Sequence, residues 1–131
     1  GLYCCMDGVI SEPARTLALQ GAELMCNSLN SFALDEASLH VPARAVENGV
    51  WVVACCKVGP LLPEHRRSEF ASFVDLPEST FTGAGESQVV APDGTVLAID
   101  HPAYREQTVL GRAVRAELAA DLAGGEFPTN P

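Results

Sequence analysis

The seven consecutive apolar residues Val50-Trp51-Val52-Val53-Ala54-Cys55-Cys56 constrain this chain more than any other stretch. A strand wetted on one side alternates apolar and polar residues. An unbroken apolar run fits a strand covered on both faces, as inside an α/β sheet. Two shorter stretches repeat the theme: Gly1-Leu2-Tyr3-Cys4-Cys5 and Ala22-Glu23-Leu24-Met25-Cys26. Between them, residues 11–20 read as a helix. Ser11 is placed to cap it, Glu12 suits its first turn, Pro13 is tolerated there, and Gly21 ends it. Strand, helix and strand in that order make a βαβ unit with a parallel pair.

The next segment predicts a second helix from Asp35 to Asn48, with Leu39, Ala43, Val46 and Val50 at helical spacing and Gly49 as its terminator. Pro42 either kinks this helix or marks its true first turn. Residues 57–85 read as a long loop, rich in Pro and Gly, with a solvated charged run over 64–69 and a short helical piece from Ser68 to Val74. Residues 86–91 and 95–99 read as two strands joined by Pro92-Asp93-Gly94, an antiparallel hairpin. A strand at Thr108-Val109-Leu110, a helix from Val114 to Ala123 and an exposed tail over 126–131 complete the reading. The fold class expected is α/β, one domain over 1–131, with a mixed sheet and a late antiparallel hairpin.

Composition narrows the partners. At 47% hydrophobic residues the chain can bury a core. With a formal net charge of −9 and only 8 Lys and Arg, it lacks the basic surface that nucleic acid requires. No apolar run approaches the roughly 20 residues that span a bilayer, and the opening residues lack the basic region of a signal peptide. The five cysteines are odd in number and set among apolar residues, and no CxxC occurs. They read as reduced cytoplasmic thiols rather than a disulfide framework or zinc site, with Cys4, Cys26, Cys55 and Cys56 packed in the interior. No metal or cofactor is expected.

Cys5 stands apart, because it lies near a strand-to-helix turn. Such a turn exposes a side chain, and the N–H groups opening a helix stabilise a thiolate and a later oxyanion. Read from the residues alone, Cys5 is either a nucleophile or one more buried strand cysteine. His40, His65 and His101 carry no local signature of a Cys–His pair. The polar stretch Asn27-Ser28-Leu29-Asn30-Ser31 follows the second strand, where open α/β sheets bind ligands. Asn27, Asn30 and Ser31 are therefore pocket candidates, against the plainer reading of a capping loop.

Four ordered blocks resemble the carbon–nitrogen hydrolase (nitrilase) superfamily. Cys5-Met6-Asp7 with Glu12 and Arg15 is similar to its nucleophile motif, although Ser11 stands where the motif has Pro. Gly21-Ala22-Glu23 resembles the opening of its next strand. Arg44-Ala45-Val46-Glu47-Asn48-Gly49 with the following strand resembles its RARAxEN helix and strand, although Cys56 takes the place of a usual Asn. Gly85-Glu86-Ser87-Gln88 with Pro92-Asp93-Gly94 resembles its late hairpin.

The resemblance implies half of a four-layer αββα sandwich, the part from the nucleophile onward. It implies that Cys5 attacks a small non-peptide amide or carbamoyl carbonyl to form an acyl-thioester, with the Met6 backbone N–H as an oxyanion donor. Asp7, rather than Glu, points to amide over nitrile substrates. Asp7 and Glu12 orient helix and loop, and Arg44 and Glu47 form a structural ion pair. The family's Glu and Lys come upstream of its Cys. The only Lys here is Lys57, in a different block. The expectation is thus a C-terminal part, inactive without the upstream Glu and Lys, whose open sheet associates with its missing N-terminal half, a second copy, or both. The alternative is a non-catalytic binding or assembly module that keeps the fold.

Overall fold

The computed structural model describes residues 1–30 and 35–99. The expected strand at 108–110, the helix at 114–123, the tail, His101 and Ser31 lie outside the described residues.

Five strands form one sheet in the order β1 (Leu2–Cys4), β2 (Leu24–Leu29), β3 (Trp51–Cys56), β6 (Gln88–Val90), β7 (Val96–Ile99). The first three run parallel, with Tyr3 opposite Asn27 and Cys4 opposite Ser28. Ser28 in turn lies opposite Cys55. The last two strands are antiparallel additions, so the sheet is mixed as expected. The hairpin turn is closed by the Asp93 carboxylate, which accepts from the Thr95 N–H at 2.8 Å.

Helix α1 (Ser11–Leu19) connects β1 to β2, and α2 (Val41–Asn48) leads into β3. Both end in the same six-residue device. The Ala22 N–H reaches Leu17 O and the Gly21 N–H reaches Ala18 O. The Val50 and Gly49 N–H groups do the same to Ala45 O and Val46 O. Both glycines take positive φ, which a side chain would oppose. Ser11 is not the cap: Ile10 holds that position without a side-chain bond, and the Ser11 hydroxyl donates to Glu12 at 3.2 Å.

A π-helical turn over Glu36–His40 precedes α2, and Pro42 occupies its first turn. This wider turn rotates the helix relative to a simple periodic reading. Val41, Arg44, Ala45 and Asn48 face the sheet, while Leu39 and Val46, expected on the apolar stripe, are exposed. The core lies between these helices and one sheet face, and contains Tyr3, Met25, Leu29, Val41, Ala45, Val52, Ala54 and Val90. Each fully buried Val, Leu or Met side chain contributes about 1.5–3 kcal/mol by leaving water.

The opposite sheet face is open over β1, most of β2 and the end of β3. Strand alternation sends Leu2, Cys4, Cys26, Ser28 and Cys55 to that side, and all five are exposed. The expectation that Cys4, Cys26 and Cys55 are buried is therefore corrected, because α1 and α2 both cover the other face. Only a smaller cluster of Trp51, Val89 and Ala91, with Leu24, Val53, Leu97 and Ala98 around it, packs apart from the main core. Cys56 alone among the four turns toward the helices and packs against the core, partly buried.

Residues 57–85 are not a loop. They form a ribbon of β4 (Val58–Pro60) against β5 (Thr82–Ala84), with helix α3 (Glu64–Val74) between. Pro63 sets the extended backbone before α3, and Asp75 ends it in a left-handed conformation. The charged run is a solvated helix surface, with Arg66 and Glu69 paired at 3.1 Å in the open.

Candidate active site

The three parallel strands finish along one rim, at Cys4, Leu29 and Cys56. That is the carboxyl edge at which open α/β sheets place their ligands. The chain turns sharply there. Cys5 takes φ +49, a left-handed conformation unusual for a residue with a Cβ, at a cost of about 1–3 kcal/mol. It opens a single 3-10 turn, Cys5–Gly8, rather than α1 itself, which begins at Ser11. The expected N–H groups beside the thiol are thus those of this tight turn.

Two contacts hold the turn. The Asp7 carboxylate accepts from the Cys4 N–H at 3.1 Å, tying the third residue of the turn back to its entrance. The Met6 carbonyl accepts from the Val9 N–H at 3.1 Å. Cys5 is half-buried, and the Met6 side chain is exposed.

The neighbouring strand ends are tied to one another. The Lys57 N–H donates to Leu29 O at 3.0 Å, and the Cys56 N–H donates to Ser87 Oγ at 2.9 Å. Ser87 returns its proton to Cys56 O at 3.3 Å, so one hydroxyl pins the end of β3. Asn30, the first residue past β2, is exposed at the rim.

Asn27 is placed differently from expectation. It lies within β2, not in a loop, and its side chain points into the helix-covered side at 2% exposure. The strand runs three residues further than its apolar composition suggested, because Ser28 faces outward and Asn27 is accepted inside. Around it sit other buried polar groups. Tyr3 Oη, both amide atoms of Asn27 and both carboxylate oxygens of Glu36 have no hydrogen-bond partner among the described residues. Burial pushes the Tyr3 hydroxyl up to about 12, against the pull of the Arg44 charge and with a push from Glu36. Burial likewise raises the Cys56 thiol to about 12, which makes it an inert thiol at neutral pH.

Arg44 and Glu47 form the expected pair, 3.0 Å apart, with Arg44 largely buried. Glu12 lies with Ser11, Arg15 and Thr16 of α1 and Glu47 of α2 around a surface groove between the two helices. The structure therefore gathers Cys5, Met6, Asp7 and Asn30 at the rim, puts Asn27 beneath it, and leaves Glu12, Arg44 and Glu47 on the helices. Sequence reasoning passed over Gly8, Tyr3, Glu36 and Ser87. Gly8, next after Cys5-Met6-Asp7, carried the one usable signal. Among the described residues no group of three or more His, Cys, Asp or Glu is placed to hold a metal ion.

Chemically, the rim offers a thiol on a strained turn, backbone donors in that turn, and polar side chains nearby. Comparison with known proteins gives the arrangement a context. Residues 1–121 match the carbon–nitrogen hydrolase family. The chain is 31% identical over 99 residues to a nitrilase of Pyrococcus abyssi, covering 76% of this chain and 31% of that protein. It superposes on the NitFhit protein of C. elegans with a TM-score of 0.57 at 27% identity, covering 78% of this chain and 22% of the other. It also superposes on a mutant amidase of Nesterenkonia sp. AN1, which shows acrylamide added at its active-site cysteine. There the TM-score is 0.55 at 27% identity, covering 92% of this chain and 44% of that one. The chain thus spans about a third of the length of the nitrilase it matches.

Proposed function

The chain belongs to the carbon–nitrogen hydrolase family, and from that premise we propose that it carries the nucleophile of an amidase or carbamoylase acting on small non-peptide amides. The observation that supports this most is the left-handed Cys5 at the carboxyl rim of the parallel strands. In this reading the Cys5 thiolate adds to the substrate carbonyl carbon, and the negative charge moves to the carbonyl oxygen. That oxyanion takes a hydrogen bond from the Met6 N–H. Collapse expels the amine or ammonia, which leaves with a proton, and forms an acyl-thioester. Water then cleaves the thioester, releasing the acid and restoring the thiol.

General base and cationic oxyanion partner are a Glu and a Lys from an upstream part of the complete protein, so this chain represents the C-terminal part of the domain. Its open sheet face suits association with that part, and a second copy of the whole is a further expected partner. Asn30, exposed at the rim, is the residue assigned to substrate contact. Asp7, through the Cys4 N–H, holds the turn, and the Arg44–Glu47 pair holds α2.

Incubating the full-length protein with an electrophilic amide analogue and mapping the adduct by mass spectrometry tests the proposal. The adduct is expected on Cys5, and Cys5→Ala should abolish hydrolysis. Labelling at another cysteine, with Cys5→Ala fully active, would sink the reading. Among the described residues no helix is long and apolar enough to cross a membrane.

A further inference from the structure

One buried group that the proposed chemistry does not use lies directly under the nucleophile turn. Asn27 is 2% exposed, and neither polar atom of its amide has a partner among the described residues. Leaving a buried polar group unsatisfied costs about 1–3 kcal/mol, so its presence calls for a reason. Gly8 supplies one. This residue is buried and closes the turn that begins at Cys5. A Cβ added to Gly8 would lie 2.6 Å from Asn27 Nδ2 and 3.1 Å from Tyr3 Cε2. Gly8 is not among the glycines with positive φ, so what matters is the absent side chain rather than backbone freedom.

We propose that Asn27 is a positioning residue: its buried amide is the stop on which Gly8 seats, and this contact sets the height of the turn and the left-handed pose of Cys5. The inference rests on reading Cys5 as the nucleophile. Tyr3 completes the floor. It is the cross-strand partner of Asn27 and precedes Cys5 by two residues, so the floor meets the turn where the chain enters and where it leaves. A lift of about 1 Å takes the thiol off its line to the carbonyl, and errors of that size cost on the order of 100-fold in rate. Substrate contacts elsewhere are untouched, so the loss falls on kcat rather than KM.

The test uses the full-length protein with Gly8→Ala, Asn27→Ser and the double variant. Hydrolysis kinetics are read alongside the rate of Cys5 alkylation by iodoacetamide, followed by peptide mapping. Gly8→Ala should lower kcat on the order of 100-fold with KM within about twofold, and Asn27→Ser should lower it about tenfold. The double variant should recover at least about tenfold over Gly8→Ala, because the shorter serine leaves room for the methyl group. Alkylation of Cys5 should follow the same order. A Gly8→Ala protein within about twofold of the parent in both readouts, or a double variant no faster than Gly8→Ala, overturns the proposal. If Gly8→Ala does not fold, Asn27→Ser decides: unchanged kcat and unchanged alkylation overturn it, and a tenfold fall in both upholds it. Should the unsubstituted protein hydrolyse no amide, the proposed function fails, while the alkylation rates still decide whether the floor sets the turn.

Discussion

The two faces of the five-stranded sheet come from the same strands and have opposite surroundings. On one, Met25, Val52 and Val90 are fully buried beneath α1 and α2. On the other, Leu2 is 74% exposed and three cysteines stand in the open. Strand alternation assigns residues to faces, but only the connecting helices decide which face becomes interior. The second cluster around Trp51 and Val89 covers part of that side, whereas the stretch from Leu2 through Cys26 to Cys55 has no cover among the described residues. On β3 the unbroken apolar run does signal burial on both faces for Trp51 and Val52, and the cover ends before Cys55.

The largest expected effect tests the covered face. Met25→Ala should destabilise the protein by about 2–5 kcal/mol in chemical denaturation, as truncation in a packed core does. Leu2→Ala should change stability by no more than about 0.5 kcal/mol in this chain. A cost for Leu2→Ala in the full-length protein approaching that of Met25→Ala would show that the open face is interior there.

Thiol chemistry sharpens the same contrast. At pH 8, Cys4, Cys26 and Cys55 should alkylate at least about a hundredfold faster than Cys56, whose thiol is pushed up to about 12 by burial. Protection of the three exposed thiols in the full-length protein, measured by mass spectrometry, would again place them inside.

The covered face also carries an alkaline liability. Cys56 and Tyr3 have values raised to about 12 from 9.0 and 10.0, mainly by burial. The folded state therefore keeps their protons longer than the unfolded chain. Their contribution to stability is whole below about pH 9 and is lost progressively as pH rises toward 12. A Cys56→Ser variant should flatten the part that begins near pH 9, as read from denaturation midpoints against pH.

The smallest effect belongs to the hairpin. The Thr95 backbone N–H, followed by its side chain, lowers the Asp93 value below 3.8. Its stabilising contribution is present above that value and disappears as pH falls through the depressed one. An NMR titration of the Asp93 carboxyl should show the lowered midpoint, and Thr95→Val should raise it only in part, because the larger backbone contribution remains.

Much of this architecture was legible in the residues. The βαβ unit, the glycine stops at Gly21 and Gly49, and the Pro-Asp-Gly hairpin all follow from local chemistry that tertiary packing did not override. The misreadings share one cause, which is that local patterns say nothing about what lies across from them. The prolines and glycines of 57–85 suggested a loop, yet Pro63 starts a helix and the strands flanking it find each other. Asn27 looked like a loop residue because an amide inside a core is costly, yet it is buried against Gly8. The π-helical turn before α2 shifted the buried stripe, which no periodicity count anticipates. At the site, the position of Cys5 was readable, whereas its strained backbone was not.

That strain has an evolutionary side. Glycine would adopt the φ +49 of Cys5 freely, so Cys5→Gly should raise the unfolding midpoint while removing the thiol. Selection for heat resistance alone would thus drift toward discarding this residue. A cysteine at this position therefore holds the turn at a cost in stability that glycine would remove.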